Sequence, residues 1–312
     1  MTESEFRDLA ARGYNRIPLT VETFADLDTP LSVYIKLANA PNGYLLESVQ
    51  GGERFGRYSF IGLPTGNRIE VRGRECVEIR DGEVAERREL DDPLEFVAAY
   101  RNRFKAFVPE HLPRFCGGLV GCFGYDCVRY FERRLSRTRK PDAVDTPDIV
   151  LLASTEVAEV DNLKGKLWFV VYVDPAQAGA YARGRVRLAE LVQKLRQPVE
   201  IPAEQPQPPA EPSSEFAREG FIAAVERAKR YIVDGDIMQV VLSQRMSQPF
   251  AASPLALYRA LRALNPSPYM FLLDFGGYPV VGASPEILVR LGGDTVRVRP
   301  SAGTRPPGAT RA

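Results

Sequence analysis

The amino-acid sequence predicts an α+β protein in which antiparallel β-sheets pack with helices. Three observations lead there. Short β-rich runs follow one another at close spacing, amphipathic stretches of helical period stand between groups of them, and Gly, Pro, Asn or Asp punctuate most of the joins. At 312 residues the chain is long enough to bury a sizeable core, and its apolar fraction of 45% and charged fraction of 26% are those of an ordinary globular protein.

Thr2 and Glu5 stand at capping-box spacing, and Phe6, Leu9 and Ala10 make one face of a short helix ending at Gly13. From Tyr44 to Arg80 the sequence reads as short strands broken by Gly-Gly and Pro-Thr-Gly. Ile149 to Val160 and Lys166 to Val173 read as the two arms of a hairpin joined by DNLKG. Asp174 and Pro175 then supply an N-cap and a first helical residue for a helix running towards Leu195. Residues 197 to 214, QPVEIPAEQPQPPAEPSS, are rich in Pro, Glu and Gln and read as a solvated, semi-rigid linker.

Beyond the linker, Phe221, Val225, Ala228 and Ile232 recur at helical spacing towards a stop at Asp234-Gly235. Val240 to Leu242 are strand-like. Ser253-Pro254 opens a further helix that Asn265-Pro266 closes. Strands are expected at Tyr269 to Asp274, Tyr278 to Ala283, Ile287 to Leu291 and Thr295 to Val298, with Gly276-Gly277 and Gly292-Gly293 in the turns. No internal repeat is present.

Composition narrows the function classes. Lys plus Arg (41) and Asp plus Glu (40) nearly cancel, so no strong field draws the chain to nucleic acid or anionic lipid. No apolar run approaches the ~20 residues that span a bilayer, and MTESEFRDLAARGYN has no apolar stretch of a secretory signal. The four cysteines, Cys76, Cys116, Cys122 and Cys127, are too sparse for a disulfide framework, and their spacing is not that of a zinc site; they read as buried thiols. The expected compartment is the cytoplasm.

Short motifs add little. The single histidine, His111, reads as a loop residue, and no GxGxxG, GxxxxGK[ST] or HExxH is present. The glycines of GGLVGCFGYD, Gly117 to Asp126, lack the spacing of a phosphate cradle and read as marks of close strand packing or tight turns.

Longer strings carry more. YLLES (Tyr44 to Ser48), GRYSFIG (Gly56 to Gly62) and FCGGLVGCFGYDCVRYFE (Phe115 to Glu132) resemble the N-terminal region of the anthranilate synthase component I family of chorismate-binding enzymes. GDIMQVVLSQR (Gly235 to Arg245), NPSPYMF (Asn265 to Phe271), GASPE (Gly282 to Glu286) and RPSAGTRPPG (Arg299 to Gly308) resemble the opening of its chorismate-binding region. The matches run in family order across nearly the whole chain. The resemblance implies the chorismate-binding enzyme fold with its C-terminal half missing. It divides the chain into a regulatory N-terminal region at 1–196, the linker at 197–214 and the truncated start of the catalytic region at 215–312.

The implied activity is conversion of chorismate and ammonia to anthranilate and pyruvate, with magnesium, with ammonia from a glutamine amidotransferase partner subunit, and with feedback inhibition by tryptophan. Two positions bear on the reaction. Relatives that add water at ring carbon 2 carry a lysine base where this chain has Gln239, and a neutral amide cannot deprotonate water. Relatives that make 4-amino-4-deoxychorismate commonly carry a nucleophilic lysine where this chain has Ala302. The resemblance casts Glu286 as the general acid that protonates the departing C4 hydroxyl, in a partly buried, ion-poor site. Gly303 and Thr304 are cast as chorismate contacts, and Glu47, Ser48, Arg57, Pro268, Tyr269 and Met270 as the tryptophan site.

The chain also departs from the pattern. Ser301 replaces an aliphatic residue and Pro307 an arginine, and the expected catalytic histidine and magnesium-holding glutamates have no counterpart here. The expectation is an inactive fragment that makes no anthranilate by itself. The alternatives are a 4-amino-4-deoxychorismate synthase component, or a non-catalytic module that binds tryptophan or a partner.

Overall fold

The computed structural model describes residues 1–49, 56–132, 134–135, 144–201, 203–204 and 210–298. In chain order the first elements are α1 (Glu3–Ala11), β1 (Ile17–Phe24), α2 (Pro30–Leu37), β2 (Tyr44–Glu47), β3 (Tyr58–Gly62), β4 (Arg68–Arg72), β5 (Glu75–Arg80) and β6 (Glu83–Glu89). Next come α3 (Pro93–Asn102), β7 (Gly118–Phe123), α4 (Val128–Phe131), β8 (Ile149–Ser154), β9 (Glu156–Asp161), β10 (Lys166–Val173) and α5 (Ala180–Leu195). The last are β11 (Ser213–Ser214), α6 (Arg218–Val233), β12 (Met246–Ser247), α7 (Pro254–Leu264), β13 (Tyr269–Asp274), β14 (Pro279–Ser284), β15 (Arg290–Gly292) and β16 (Thr295–Arg297).

The chain divides into two compact units, residues 1–201 with 257–312, and residues 202–256. The first contains a seven-stranded sheet in the order β1-β10-β9-β3-β2-β13-β14 and a five-stranded sheet in the order β6-β5-β4-β8-β7. Every pairing in both is antiparallel. Antiparallel sheets commonly bury one face on the core, and here the inner faces meet. Tyr44 and Leu273 of the larger sheet share a cluster with Val120, Val150 and Leu152 of the smaller. Tyr44 Oη and Ser154 Oγ, both buried, are joined at 2.7 Å across this interface. Tyr44→Phe leaves the Ser154 hydroxyl buried without that partner, so it should lower stability by about 1–2 kcal/mol in chemical denaturation. On the outer faces, α2 and α5 pack on the larger sheet, and Phe96 and Tyr100 of α3 cover Ile69, Val71, Ile149 and Leu151 of the smaller.

The capping box of α1 is formed as expected, with Thr2 and Glu5 each bonding the other's backbone N–H. The described residues of the segment 44–80 hold four strands, and α6, α7 and β13 lie where the sequence places them. Three cysteines are buried and Cys122 half-buried, all as free thiols, while His111 is exposed in a loop. Within GGLVGCFG, Gly121 does mark close packing: a Cβ there would collide with the Val150 carbonyl on the neighbouring strand.

Four expectations are corrected. Ile149 to Val160 is not one hairpin arm: the chain changes sheets at Thr155, so β8 belongs to the smaller sheet and β9 to the larger. Both strands are buried almost throughout, and a continuous apolar run carries no signal for such a crossing. Asp174 does not cap a helix. Its carboxylate accepts from the Ala176 N–H at 3.0 Å in a local turn, and α5 starts only at Ala180, after Gly179 at φ 65°. Val240 to Leu242 join no ladder among the described residues; the short strand nearby is β12, paired with β11. The strand expected at Ile287 to Leu291 is confined to β15, because Ser284 Oγ donates to the Glu286 carbonyl at 2.9 Å and prolongs the turn after β14.

Candidate functional site

β2 and β13 are neighbours in the larger sheet, and their register sets Glu47 directly opposite Met270. Opposed residues of an antiparallel pair project from the same face. YLLES and NPSPYMF, far apart in sequence, therefore meet at one place. The pairing continues past the strand end, where the Val49 N–H donates to the Ser267 carbonyl at 3.1 Å. Beside Glu47 lies a cavity of roughly 440 Å³ lined by Thr29, Glu47, Ser48, Arg57, Asn162 and Arg262 among others. Met270, opposite Glu47 on the neighbouring strand, is buried. Pro268, on the connection from α7 to β13, and Tyr269, the first residue of β13, are half-buried and do not line this cavity.

Charge in the cavity is closely paired. Glu47, only 4% exposed, accepts from Arg262 Nε at 2.8 Å and Tyr258 Oη at 2.7 Å on Oε2, and from Arg262 Nη2 at 2.8 Å on Oε1. The bond to Glu47 raises the Arg262 pKa despite partial burial. Burial, then the Glu47 charge and hydrogen bond, raise that of the Tyr258 phenol. Arg57 donates to Asp161 Oδ2 from Nε at 3.1 Å and from Nη2 at 2.8 Å, and its guanidinium lies 4.8 Å from the Tyr58 ring centroid. Burial works to raise the Asp161 pKa, but hydrogen bonds from Arg57 and from the Lys164 and Leu163 N–H groups outweigh it and hold the carboxyl below its ordinary range.

Asp161, Asn162, Tyr258 and Arg262 escaped the sequence reading. Tyr258 and Arg262 were legible in part, since they stand at i and i+4 on a helix ending just before NPSPYMF and so share its face. Asp161 and Asn162 belong to DNLKG, where turn chemistry accounts for them and nothing in the sequence points to a second role.

The remaining candidates lie elsewhere. Glu286 is exposed in the turn after β14, so the partial burial expected around it is not supplied by the described residues. Gln239 is exposed on an irregular segment of the 202–256 unit. Gly303, Thr304 and Ala302 lie outside the described residues. A second cavity, of about 520 Å³ and larger than the first, lies between α5 and β1; Val21, Leu188 and Val192 line it and no candidate residue reaches it. Among the described residues no group of three or more His, Cys, Asp and Glu is placed to hold a metal, and no helix is long and apolar enough to cross a membrane.

Two antiparallel sheets packed face to face under outer helices, with a charge-paired cavity at the β2–β13 junction, define the chain as an α+β protein. The chain belongs to the chorismate binding enzyme family, which it matches over residues 45–312. It is 53% identical to anthranilate synthase component 1 of Pseudomonas putida over 316 aligned residues, covering 99% of this chain and 64% of that protein. It is 54% identical to the protein of the same name from Neisseria meningitidis serogroup A, covering 100% of this chain and 64% of that one. The chain thus spans about 64% of the length of these relatives. The crystal structure of anthranilate synthase component I from Streptococcus pneumoniae superimposes with a TM-score of 0.62 at 28% identity, covering 79% of this chain and 56% of that one.

Proposed function

We propose that this chain is part of an anthranilate synthase component I. The observation that carries the reading is its identity of 53% or more, over essentially its whole length, to relatives bearing that name. In the proposed reaction, ammonia forms the bond to ring carbon 2 of chorismate as the C4 hydroxyl, protonated by Glu286, leaves as water. Loss of the enolpyruvyl side chain as pyruvate then completes the aromatic ring. Gln239 offers no base to activate water in place of ammonia, which disfavours the isochorismate outcome. Ala302 offers no nucleophile, which disfavours the 4-amino outcome. Gly303 and Thr304 are proposed to contact chorismate.

The same reading makes residues 1–196 a regulatory region, 197–214 a linker and 215–312 the start of the catalytic region, in a cytoplasmic protein. The cavity beside Glu47 is proposed as the tryptophan site, with Glu47 receiving the α-amino group, Ser48 and Arg57 on its wall, Pro268 just before the adjoining strand, and Tyr269 and Met270 on it. Ammonia would come from a glutamine amidotransferase partner. Among the described residues no cluster is placed to hold magnesium; in the proposed enzyme the ion would neutralise charge on the chorismate carboxylates.

The test is a chimera in which this chain is followed by the segment of the Pseudomonas putida relative beyond the aligned part. Supplied with chorismate, magnesium and ammonium, it should form fluorescent anthranilate. Gln239→Lys should lower that rate by at least about tenfold and give detectable isochorismate, since a positioned base contributes factors of that size and more. Formation of 4-amino-4-deoxychorismate by the unmutated chimera would contradict the reading.

A further inference from the structure

Tyr258 and Arg262 are one helical turn apart on α7 and converge on one carboxylate in β2. Their three hydrogen bonds occupy two positions on Glu47 Oε2 and one on Oε1. A carboxylate offers roughly four acceptor positions, so about one remains, on Oε1. The side-on, two-point contact from Arg262 also fixes the plane of the carboxylate, which a single point charge would leave free to rotate.

The charges around the cavity indicate what the remaining position can take. Among the described lining residues the charged ones are Glu47, Arg57 and Arg262. Glu47 is neutralised by Arg262, and Arg57 by Asp161, which stands outside the lining. An anion would find both guanidiniums already engaged, and a lone cation would find a carboxylate already neutralised. A zwitterion suits the site better: its ammonium can take the free Oε1 position while its carboxylate lies towards the partly exposed guanidinium of Arg57.

We propose that Tyr258 and Arg262 are positioning residues of this cavity, holding the Glu47 carboxylate in the one orientation that accepts the ammonium of a zwitterionic amino acid. The inference rests on the reading of the cavity as an amino-acid site, and it adds two residues that the family resemblance did not supply. Neither residue need touch the ligand; each acts through its hydrogen bonds to the Glu47 carboxylate.

The experiment is calorimetric titration of the 312-residue chain with L-tryptophan, tryptamine (which keeps the ammonium) and indole-3-propionate (which lacks it). Tyr258→Phe keeps the ring and removes the hydroxyl; Arg262→Lys keeps the charge and removes the two-point contact. Each variant should weaken L-tryptophan and tryptamine about tenfold, the loss of one charge-assisted hydrogen bond, and leave indole-3-propionate within about twofold. Equal weakening of all three ligands would mean that the pair only supports the fold and would overturn the inference. So would unchanged affinity for tryptophan in both variants. Failure of the unmutated chain to bind tryptophan would overturn the cavity reading itself, and the inference with it.

Discussion

Glu159→Gln is expected to remove a pH-dependent loss of stability of up to about 4 kcal/mol between pH 4.5 and pH 8. Glu159 lies on β9, fully buried between Phe60 of β3 and Trp168 of β10, and neither carboxylate oxygen has a hydrogen-bond partner among the described residues. Its surroundings include Tyr58 on β3, Tyr44 on β2, and Cys116 and Tyr172, which are joined to each other at 3.0 Å. None of these is a cation that could stabilise an ionised carboxylate. Burial alone pushes its pKa from 4.5 up to about 8.

The direction follows from proton counting. Between pH 4.5 and pH 8 the folded chain keeps a proton on Glu159 that the unfolded chain releases, so the contribution to stability is whole below pH 4.5 and is lost as pH rises through 8. Glutamine has the same shape without the titration, so the variant should gain on the unmutated chain at each step towards pH 8. Trp168, the chain's single tryptophan, is the cross-strand neighbour of Glu159 and gives a local readout. Its emission should titrate with a midpoint near 8 in the unmutated chain and stay flat in Glu159→Gln. Parallel stability profiles for the two proteins would contradict the assignment.

Gly62→Ala should cost about 3 kcal/mol, the upper end for overpacking a filled core. Gly62 is directly opposite Tyr44 in the β2–β3 ladder, and a Cβ added there would sit inside the phenol ring. The ring cannot give way easily, because Tyr44 is fully buried and its hydroxyl is bonded to Ser154 on the other sheet. The check is a double-mutant cycle: Tyr44→Leu vacates the space, so Gly62→Ala should cost much less in that background, with a coupling of about 2 kcal/mol. Additive losses would show that the glycine serves another purpose. Gly282 stands in the same relation to the Phe271 ring across β13 and β14. Glycines in GRYSFIG and GASPE thus make room for aromatic rings on the neighbouring strand.

These cases mark what was legible in the sequence. Local signals carried through: Thr2 and Glu5 capped α1, Asn265-Pro266 closed α7, and Tyr269 to Asp274 is β13 residue for residue. Long-range arrangement was opaque. Nothing in Ile149 to Val160 announces a change of sheet, because both strands keep the same unbroken apolar character. The resemblance named Glu47 and Met270 but not their neighbours, and it took the β2–β13 register to bring Arg262 and Tyr258 onto Glu47. Glu159 reads in sequence as a strand residue of no special kind; only the meeting of three strands reveals an unpaired carboxyl in an aromatic interior.

The most direct measurement is of where nitrogen enters chorismate. The chimera is supplied with ¹⁵N-ammonium, chorismate and magnesium, and the product is examined by NMR. The proposed reaction puts the label on the ring carbon adjacent to the one bearing the carboxyl group, with unlabelled pyruvate released. Label at the carbon that carried the C4 hydroxyl, or an unlabelled isochorismate as the main product, would contradict the assignment to the anthranilate branch.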